Sequence, residues 1–90
     1  MLELVKTPTF EKDVKKLDKK HYKFDKLKLV IDLLITSQTI PPKYKNHYLQ
    51  GDLRGYQECH IDKDILLIYQ IIDNDLILCR LGSHKDLLGK

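Results

Sequence analysis

Apolar and polar residues alternate between positions 56 and 61, which is the pattern of a β-strand with two different faces. Successive side chains point to opposite sides of a strand, so Tyr56, Glu58 and His60 share one face. An acid and a histidine on one rigid strand could carry out chemistry. A plain amphipathic strand with a polar outer face would give the same pattern, so both interpretations stay open here.

The strand is followed by a short polar break at residues 62–64, of the kind that turns a hairpin. Residues 65–72 are apolar nearly throughout, which is typical of a strand that is covered on both faces. A second tight turn at residues 73–75 leads into a last strand over residues 76–81. Strands joined by tight turns are antiparallel, so this half of the chain predicts a three-stranded meander.

The first half of the chain predicts a short edge strand over residues 2–6 and two helices. Thr7 can cap the first helix and Pro8 suits its first position. A second helix over residues 25–37 has a broad apolar face. Helices on one face of such a sheet make an α+β two-layer sandwich with the order β-α-α-β-β-β, and the other face remains as a concave binding surface.

The composition is that of one globular domain over residues 1–90, with 42% hydrophobic and 32% charged residues. No apolar run approaches the length of about 20 residues that crosses a membrane. No secretory signal is recognisable either, and we therefore expect a cytoplasmic protein. Cys59 and Cys79 fall on strands two apart in the predicted sheet, which is too far for a disulfide, so we expect free thiols.

The net charge of +3 is mild, and it permits an anionic partner without requiring one. Much of the charge lies in the lysine-rich residues 11–28. Such a run is usually a solvated helix face, and the other interpretation is a ridge that contacts phosphates.

Three histidines and one acid fall where the predicted topology can bring them to one edge of the sheet. His60 ends its strand, His84 follows the last strand, Asp64 lies in the turn between two strands, and His47 lies in the preceding loop. The pKa of an unperturbed histidine is about 6.5, so one histidine can accept a proton while another donates one. The arrangement therefore indicates general acid–base catalysis.

RNA is a suitable substrate, because its 2′-hydroxyl is a built-in nucleophile and the protein has only to supply a base, an acid and cations. Candidate RNA-binding side chains are Lys43, Lys45, Arg54, Tyr56, Lys63 and Arg80, and Tyr44 and Tyr48 offer further surfaces for base stacking. Two other interpretations of the histidines stay open. They could be separately solvated, or they could bind a metal, although no recognisable ligand spacing supports a metal site.

Four stretches of the sequence, at residues 41–51, 55–61 with Asp64, 66–69 and 80–84, resemble in order the YafQ-like toxins of the RelE/ParE superfamily. The resemblance extends over nearly the whole chain, and it implies the same fold as the pattern above. It also implies that the catalytic residues are His47, His60, Asp64 and His84. In this interpretation His84 is the general acid, His47 or His60 is the base, and Asp64 orients a histidine or the substrate.

The resemblance implies a toxin of a bacterial type II toxin–antitoxin pair. Such toxins enter the ribosomal A site and cut mRNA without a metal or other cofactor, and their lysine-rich helices would contact rRNA. The implied protein partner is a co-expressed antitoxin that wraps and inhibits the toxin. We expect that antitoxin to be acidic and partly disordered when free, because it has to cover a lysine-rich surface.

The sequence departs from the family pattern at Ile65 and Leu88, where some members have aromatic residues. If those aromatics stack on mRNA bases, this chain would have a different codon preference or a lower rate. The main alternative is a ParE-like toxin that binds and inhibits DNA gyrase, because that branch shares the topology. An RNA-binding module that has lost its activity is a third interpretation.

Overall fold

The computed structural model describes residues 1–89, and Lys90, the last residue of the predicted domain, lies outside the described residues. Within this range the chain forms five strands and three α-helices, with short 3₁₀ helices at Pro42–Tyr44 and Gly51–Leu53. In chain order the main elements are β1 (Glu3–Lys6), α1 (Pro8–Lys19), α2 (Asp25–Ile35), β2 (His47–Tyr48), β3 (Gln57–His60), β4 (Ile65–Ile72), β5 (Asp75–Ser83) and α3 (His84–Leu88).

The five strands form one sheet in the order β1-β5-β4-β3-β2. Strands β3, β4 and β5 pair antiparallel, as the predicted meander requires. The edge strand β1 is parallel to its neighbour β5. The predicted α+β fold and element order are therefore confirmed. Strand β2 was not predicted, because two residues in a loop leave no periodic pattern in a sequence.

Helix α1 begins where the Thr7-Pro8 pair predicts. The Thr7 hydroxyl accepts a hydrogen bond from the Phe10 backbone N–H at 3.1 Å and donates one to the Leu78 carbonyl at 2.9 Å. The cap thus also ties α1 to β5. Helix α2 ends two residues earlier than predicted, because Ser37 adopts a left-handed conformation with a φ of 56°, which a helix cannot continue through.

The main core lies between the helices and one face of the sheet. Its largest contributions come from α2 and from the inward-facing residues of β3, β4 and β5. Leu66 and Ile68 are buried on the opposite face of β4, so this strand is covered on both sides, as its sequence predicts. The buried members of the main core include Phe10, Leu27, Val30, Leu34, Tyr44, Cys59, Leu67, Tyr69, Leu76, Leu78 and Leu81.

Cys59 and Cys79 are both free thiols, which confirms the prediction from the sequence. Burial, with a smaller effect of the neighbouring Glu58 carboxylate, raises the pKa of Cys59 to about 11. The thiolate is the reactive form of cysteine, so this side chain is a core residue rather than a nucleophile near neutral pH. None of the helices in residues 1–89 has the length and apolar character needed to span a membrane.

Candidate active site

The centre of the candidate site is Glu58, an acid on β3 with only 4% of its surface exposed. Three histidine Nε2 atoms surround its carboxylate. His60 lies 3.1 Å from Oε1, His84 lies 3.8 Å from Oε1, and His47 lies 3.7 Å from Oε2. We call Glu58 and these three histidines the histidine cluster.

The sheet register explains why the cluster forms. His47 on β2 is the direct cross-strand partner of Glu58, and His60 follows two residues later on the same face of β3. His84 reaches the cluster from the end of β5, on the far side of β4. The ring centroid of His60 lies 5.2 Å from that of His84 and 6.2 Å from that of His47. The fold thus brings together three histidines that are far apart in the sequence.

Helix α3 fixes the position of His84, which is its first residue. The Ser83 side chain caps the helix by accepting a hydrogen bond from the Asp86 N–H at 3.1 Å. Gly82 allows the helix to fold back closely over the end of β5. A Cβ atom at this position would lie 3.3 Å from Leu87 Cδ2, so a larger residue would require the Leu87 side chain to shift by a few tenths of an ångström.

Asp64 does not join the cluster through any hydrogen bond or ion pair to a histidine within residues 1–89. It lies in the β3–β4 turn, where its backbone N–H donates to Asp62 Oδ1 at 3.2 Å. Asp62 organises this turn, since it also accepts hydrogen bonds from the Ile65 N–H at 3.3 Å and from the Tyr22 hydroxyl at 2.6 Å. Glu58, which the sequence pattern places on the same strand face as His60, occupies the central acidic position.

The electrostatics of the cluster favour a neutral His60. Burial lowers the pKa of His60, and the nearby His84, Lys45 and His47 lower it further, while Glu58 opposes them. A neutral imidazole keeps a lone pair on one of its two ring nitrogens. His60 can therefore accept a proton at neutral pH.

A groove of about 330 Å³ lies next to His60, which forms part of its wall. None of the four lysines that line it forms an ion pair within 4.0 Å of a carboxylate in residues 1–89. The lining also contains one carboxylate, Asp62, so the groove has a net positive charge. Lys26, on the first turn of α2, was not among the predicted RNA-binding residues, because it belongs to a charged run that is typical of a solvated helix face. We call this feature the lysine groove, and its lysines are Lys26, Lys43, Lys45 and Lys63.

Arg80 is held in place by an acid that no pattern in the sequence indicated. Its Nε and Nη2 atoms lie 2.8 and 3.3 Å from the two carboxylate oxygens of Asp13 on α1. The hydrogen bond to Asp13 raises the pKa of Arg80. Asp13 also accepts a hydrogen bond from the Leu81 N–H at 2.9 Å, so the pair connects α1 to β5. The side chain of Arg80 remains 40% exposed.

The predicted aromatic surfaces differ in their exposure. Tyr44 is only 4% exposed and belongs to the core, so the prediction that it offers a stacking surface is wrong. Tyr48 is 67% exposed on β2. Tyr56 is half-buried beside Arg80, in a depression that Leu53 and Leu87 also line, and Arg54 is exposed nearby. Ile65 is a core residue and Leu88 is half-buried on α3.

The cluster also offers a set of metal ligands. One ligand atom each from Glu58, His60 and His84 lies within 4.8 Å of the other two. Two imidazoles and a carboxylate are a donor set that suits zinc or copper. The sequence spacing did not predict this set, because the ligands come from β3 and from the start of α3, which only the fold brings together.

A family model described as "Bacterial toxin of type II toxin-antitoxin system, YafQ" matches residues 2–89. The chain therefore belongs to the YafQ toxin family, and the resemblance found in the sequence is confirmed.

Individual relatives support this assignment. The chain is 41% identical over 81 residues to the mRNA interferase toxin YafQ of Escherichia coli strain K12, covering 89% of this chain and 88% of the relative. A crystal structure of a copper-bound mutant toxin from Helicobacter pylori has a TM-score of 0.95 at 38% identity, covering 98% and 100% of the two chains. YafQ in the E. coli DinJ-YafQ complex has a TM-score of 0.90 at 37% identity, covering 99% and 100%.

Proposed function

We propose that the chain is a ribosome-dependent mRNA endoribonuclease that uses histidine acid–base catalysis and the RNA 2′-hydroxyl as nucleophile. The observation that carries this proposal is the packing of three histidine Nε2 atoms around the buried Glu58, next to the lysine groove. The similarity to an E. coli protein named mRNA interferase toxin supports it.

His60 is the best candidate for the general base, because burial lowers its pKa and a neutral imidazole has a lone pair that can accept a proton. It would accept the proton of the 2′-hydroxyl as the 2′-oxygen attacks phosphorus and forms the new O–P bond. The bond from phosphorus to the 5′-oxygen then breaks, and a protonated His84 would donate its proton to that oxygen. The products would be a 2′,3′-cyclic phosphate and a 5′-hydroxyl.

Glu58 would act on both proton transfers at once. Its carboxylate orients the rings of His60 and His84, and its negative charge would stabilise the imidazolium that forms when the base accepts a proton. His47 is the most exposed of the three histidines, and its Nδ1 is bound by the Lys45 carbonyl at 2.6 Å. We assign it to contact the scissile phosphate. Asp64, on the outside of the turn, would orient substrate rather than a histidine.

The RNA backbone would enter through the lysine groove, because uncompensated lysines attract phosphates. Arg80, oriented by Asp13, would neutralise charge on the scissile phosphate from the other side of the cluster. Tyr56 and Arg54 would contact the adjoining nucleotides. On the ribosome, the exposed lysines of α1 and α2 would contact rRNA.

We also propose that a cognate antitoxin binds the chain, because the related E. coli toxin has been crystallised as a DinJ-YafQ complex. An acidic antitoxin segment that lies over the lysine groove would neutralise its charge and block the path of the RNA. Inhibition would then need no change in the histidine cluster.

Cleavage would need no metal, because the residues that could bind an ion are the proposed base, the proposed acid and the carboxylate between them. An ion held by Glu58, His60 and His84 would occupy the groups that have to exchange protons. A related mutant toxin from Helicobacter pylori has been crystallised with copper bound. A chelator of transition metals that spares magnesium should leave the cleavage rate unchanged, and added Zn²⁺ or Cu²⁺ should lower it. A loss of activity in the chelator would contradict metal-independent catalysis.

The test of function is primer extension on an mRNA in a translating lysate, with the wild type and His84→Ala side by side. We expect cuts within codons that require ribosomes and disappear in the variant. His21→Asn is the matched control, because His21 lies exposed in the α1–α2 turn with a positive φ that asparagine tolerates. Toxicity that survives His84→Ala and is accompanied by DNA damage would instead indicate a gyrase-binding toxin.

A further inference from the structure

Among the histidines of the cluster, His47 has the fewest backbone hydrogen-bonding partners to hold its strand in place. It lies on the edge strand β2, which has only two residues and pairs with β3 alone. The ladder consists of His47 opposite Glu58 and Tyr48 opposite Gln57. Short edge pairings open easily, so contacts of the neighbouring side chains help to keep the His47 ring 3.7 Å from Glu58.

Tyr69 provides such a contact from the opposite face of the sheet. Its side chain is fully buried in the core beneath β3, and its hydroxyl donates a hydrogen bond to Asn46 Oδ1. Gln57 Oε1 lies 3.1 Å from the same hydroxyl oxygen. Asn46 immediately precedes His47, and Gln57 immediately precedes Glu58. One hydroxyl group thus contacts both residues that adjoin this cross-strand pair.

We propose that Tyr69 is a positioning residue, which holds β2 against β3 through Asn46 and Gln57 and so fixes His47 relative to Glu58. Side chains alternate across a strand, so a contact on the core face restrains the backbone that carries a catalytic side chain on the other face. Burial raises the pKa of the Tyr69 hydroxyl, which therefore remains protonated and able to donate across the physiological pH range. The inference depends on the proposed function for its kinetic test only.

The test compares Tyr69→Phe, Asn46→Ala and the double variant. Phenylalanine keeps the aromatic ring in the core and removes only the hydroxyl. We expect Tyr69→Phe to lower kcat about tenfold and to leave KM within about twofold, since the misplaced histidine affects the chemical step more than RNA binding. Asn46→Ala should have a similar effect, and the double variant should add little, because both changes break one contact.

Leu76→Val is the control for a general loss of core stability, because Leu76 is fully buried in β5 and its apolar side chain cannot hydrogen-bond to either amide of the network. It should lower the melting temperature and retain the wild-type kcat at a temperature where the protein is folded. A Tyr69→Phe variant that is less stable but has the wild-type kcat would overturn the proposal.

Hydrogen exchange tests the same restraint without any enzymatic assay. The Leu49 N–H, which donates to the Tyr56 carbonyl at 2.9 Å next to β2, should exchange about tenfold faster in Tyr69→Phe, while amides in the centre of β4 keep their rates. If the wild type cleaves no RNA, the proposed function fails and this measurement still decides the role of Tyr69. Unchanged exchange at Leu49 would refute the restraint even in an active enzyme.

Discussion

Replacing Glu58 by glutamine removes the negative charge at the centre of the histidine cluster and keeps the size of the side chain. In the proposed reaction this charge stabilises the imidazolium that forms on His60, whose Nε2 lies 3.1 Å from Glu58 Oε1. At an effective dielectric constant of about 20, unit charges at this distance attract by about 5 kcal/mol. Solvent screening at a partly exposed site reduces the useful part to about 2–3 kcal/mol.

A loss of 2–3 kcal/mol in transition-state stabilisation corresponds to a rate about 30 to 150 times lower, because each tenfold change in rate is about 1.36 kcal/mol. The assay is single-turnover cleavage of a ribosome-bound mRNA by Glu58→Gln, with circular dichroism to verify folding. Glu3→Gln, on the exposed edge strand β1, is the matched control and should cleave at the wild-type rate. A folded Glu58→Gln variant that cleaves as fast as the wild type would refute the role of the shared carboxylate.

Three further results are expected. Asp13→Asn should lower the free energy of unfolding by about 2 kcal/mol in urea titrations, because the buried partner of Arg80 is lost; an unchanged midpoint would exclude a structural role for this pair. The acid limb of the pH–rate profile should have its midpoint below pH 6.5, since His60 must be neutral and its pKa is lowered, and a midpoint above 6.5 would contradict this assignment. For the same reason, the contribution of His60 to the free energy of unfolding is complete above pH 6.5 and is lost as the pH falls. Lys26→Gln should raise KM and reduce the slope of log KM against log salt by about 0.7, whereas Lys12→Gln on the exposed side of α1 should leave both unchanged. Equal effects of the two variants would argue against RNA binding in the lysine groove.

Local patterns in the sequence were sufficient for most of the fold. The alternation at residues 56–61 and the apolar run at 65–72 follow from the twofold period of a strand, and Thr7 and Pro8 mark a helix start by local hydrogen bonding and ring geometry. The fold class and element order were therefore predictable. The ends of the elements were less predictable. Helix α2 ends early, at Ile35, because the single left-handed residue Ser37 determines where the helix stops.

The candidate site was only partly predictable. The three histidines could be assigned to one sheet edge, because a meander places the ends of alternate strands together. Asp64 was expected among them, yet it lies in the turn and forms no hydrogen bond or ion pair with a histidine in the described range 1–89, and Glu58 occupies the centre. A turn acid and a strand acid look equally suitable in a sequence, and only the direction of each side chain distinguishes them.

The sequence by itself determined the elements, their order, the family and the residue types available for acid–base chemistry, because these depend on short-range periodicity and on ordered motifs. The tertiary structure alone decided which of these residues meet. The pairing of β2 with β3, the Asp13–Arg80 ion pair and the contact of Tyr69 with Asn46 join residues that are between about ten and seventy positions apart. Such contacts depend on strand register and helix packing, which are set by burial of the whole core and leave no local pattern in the chain.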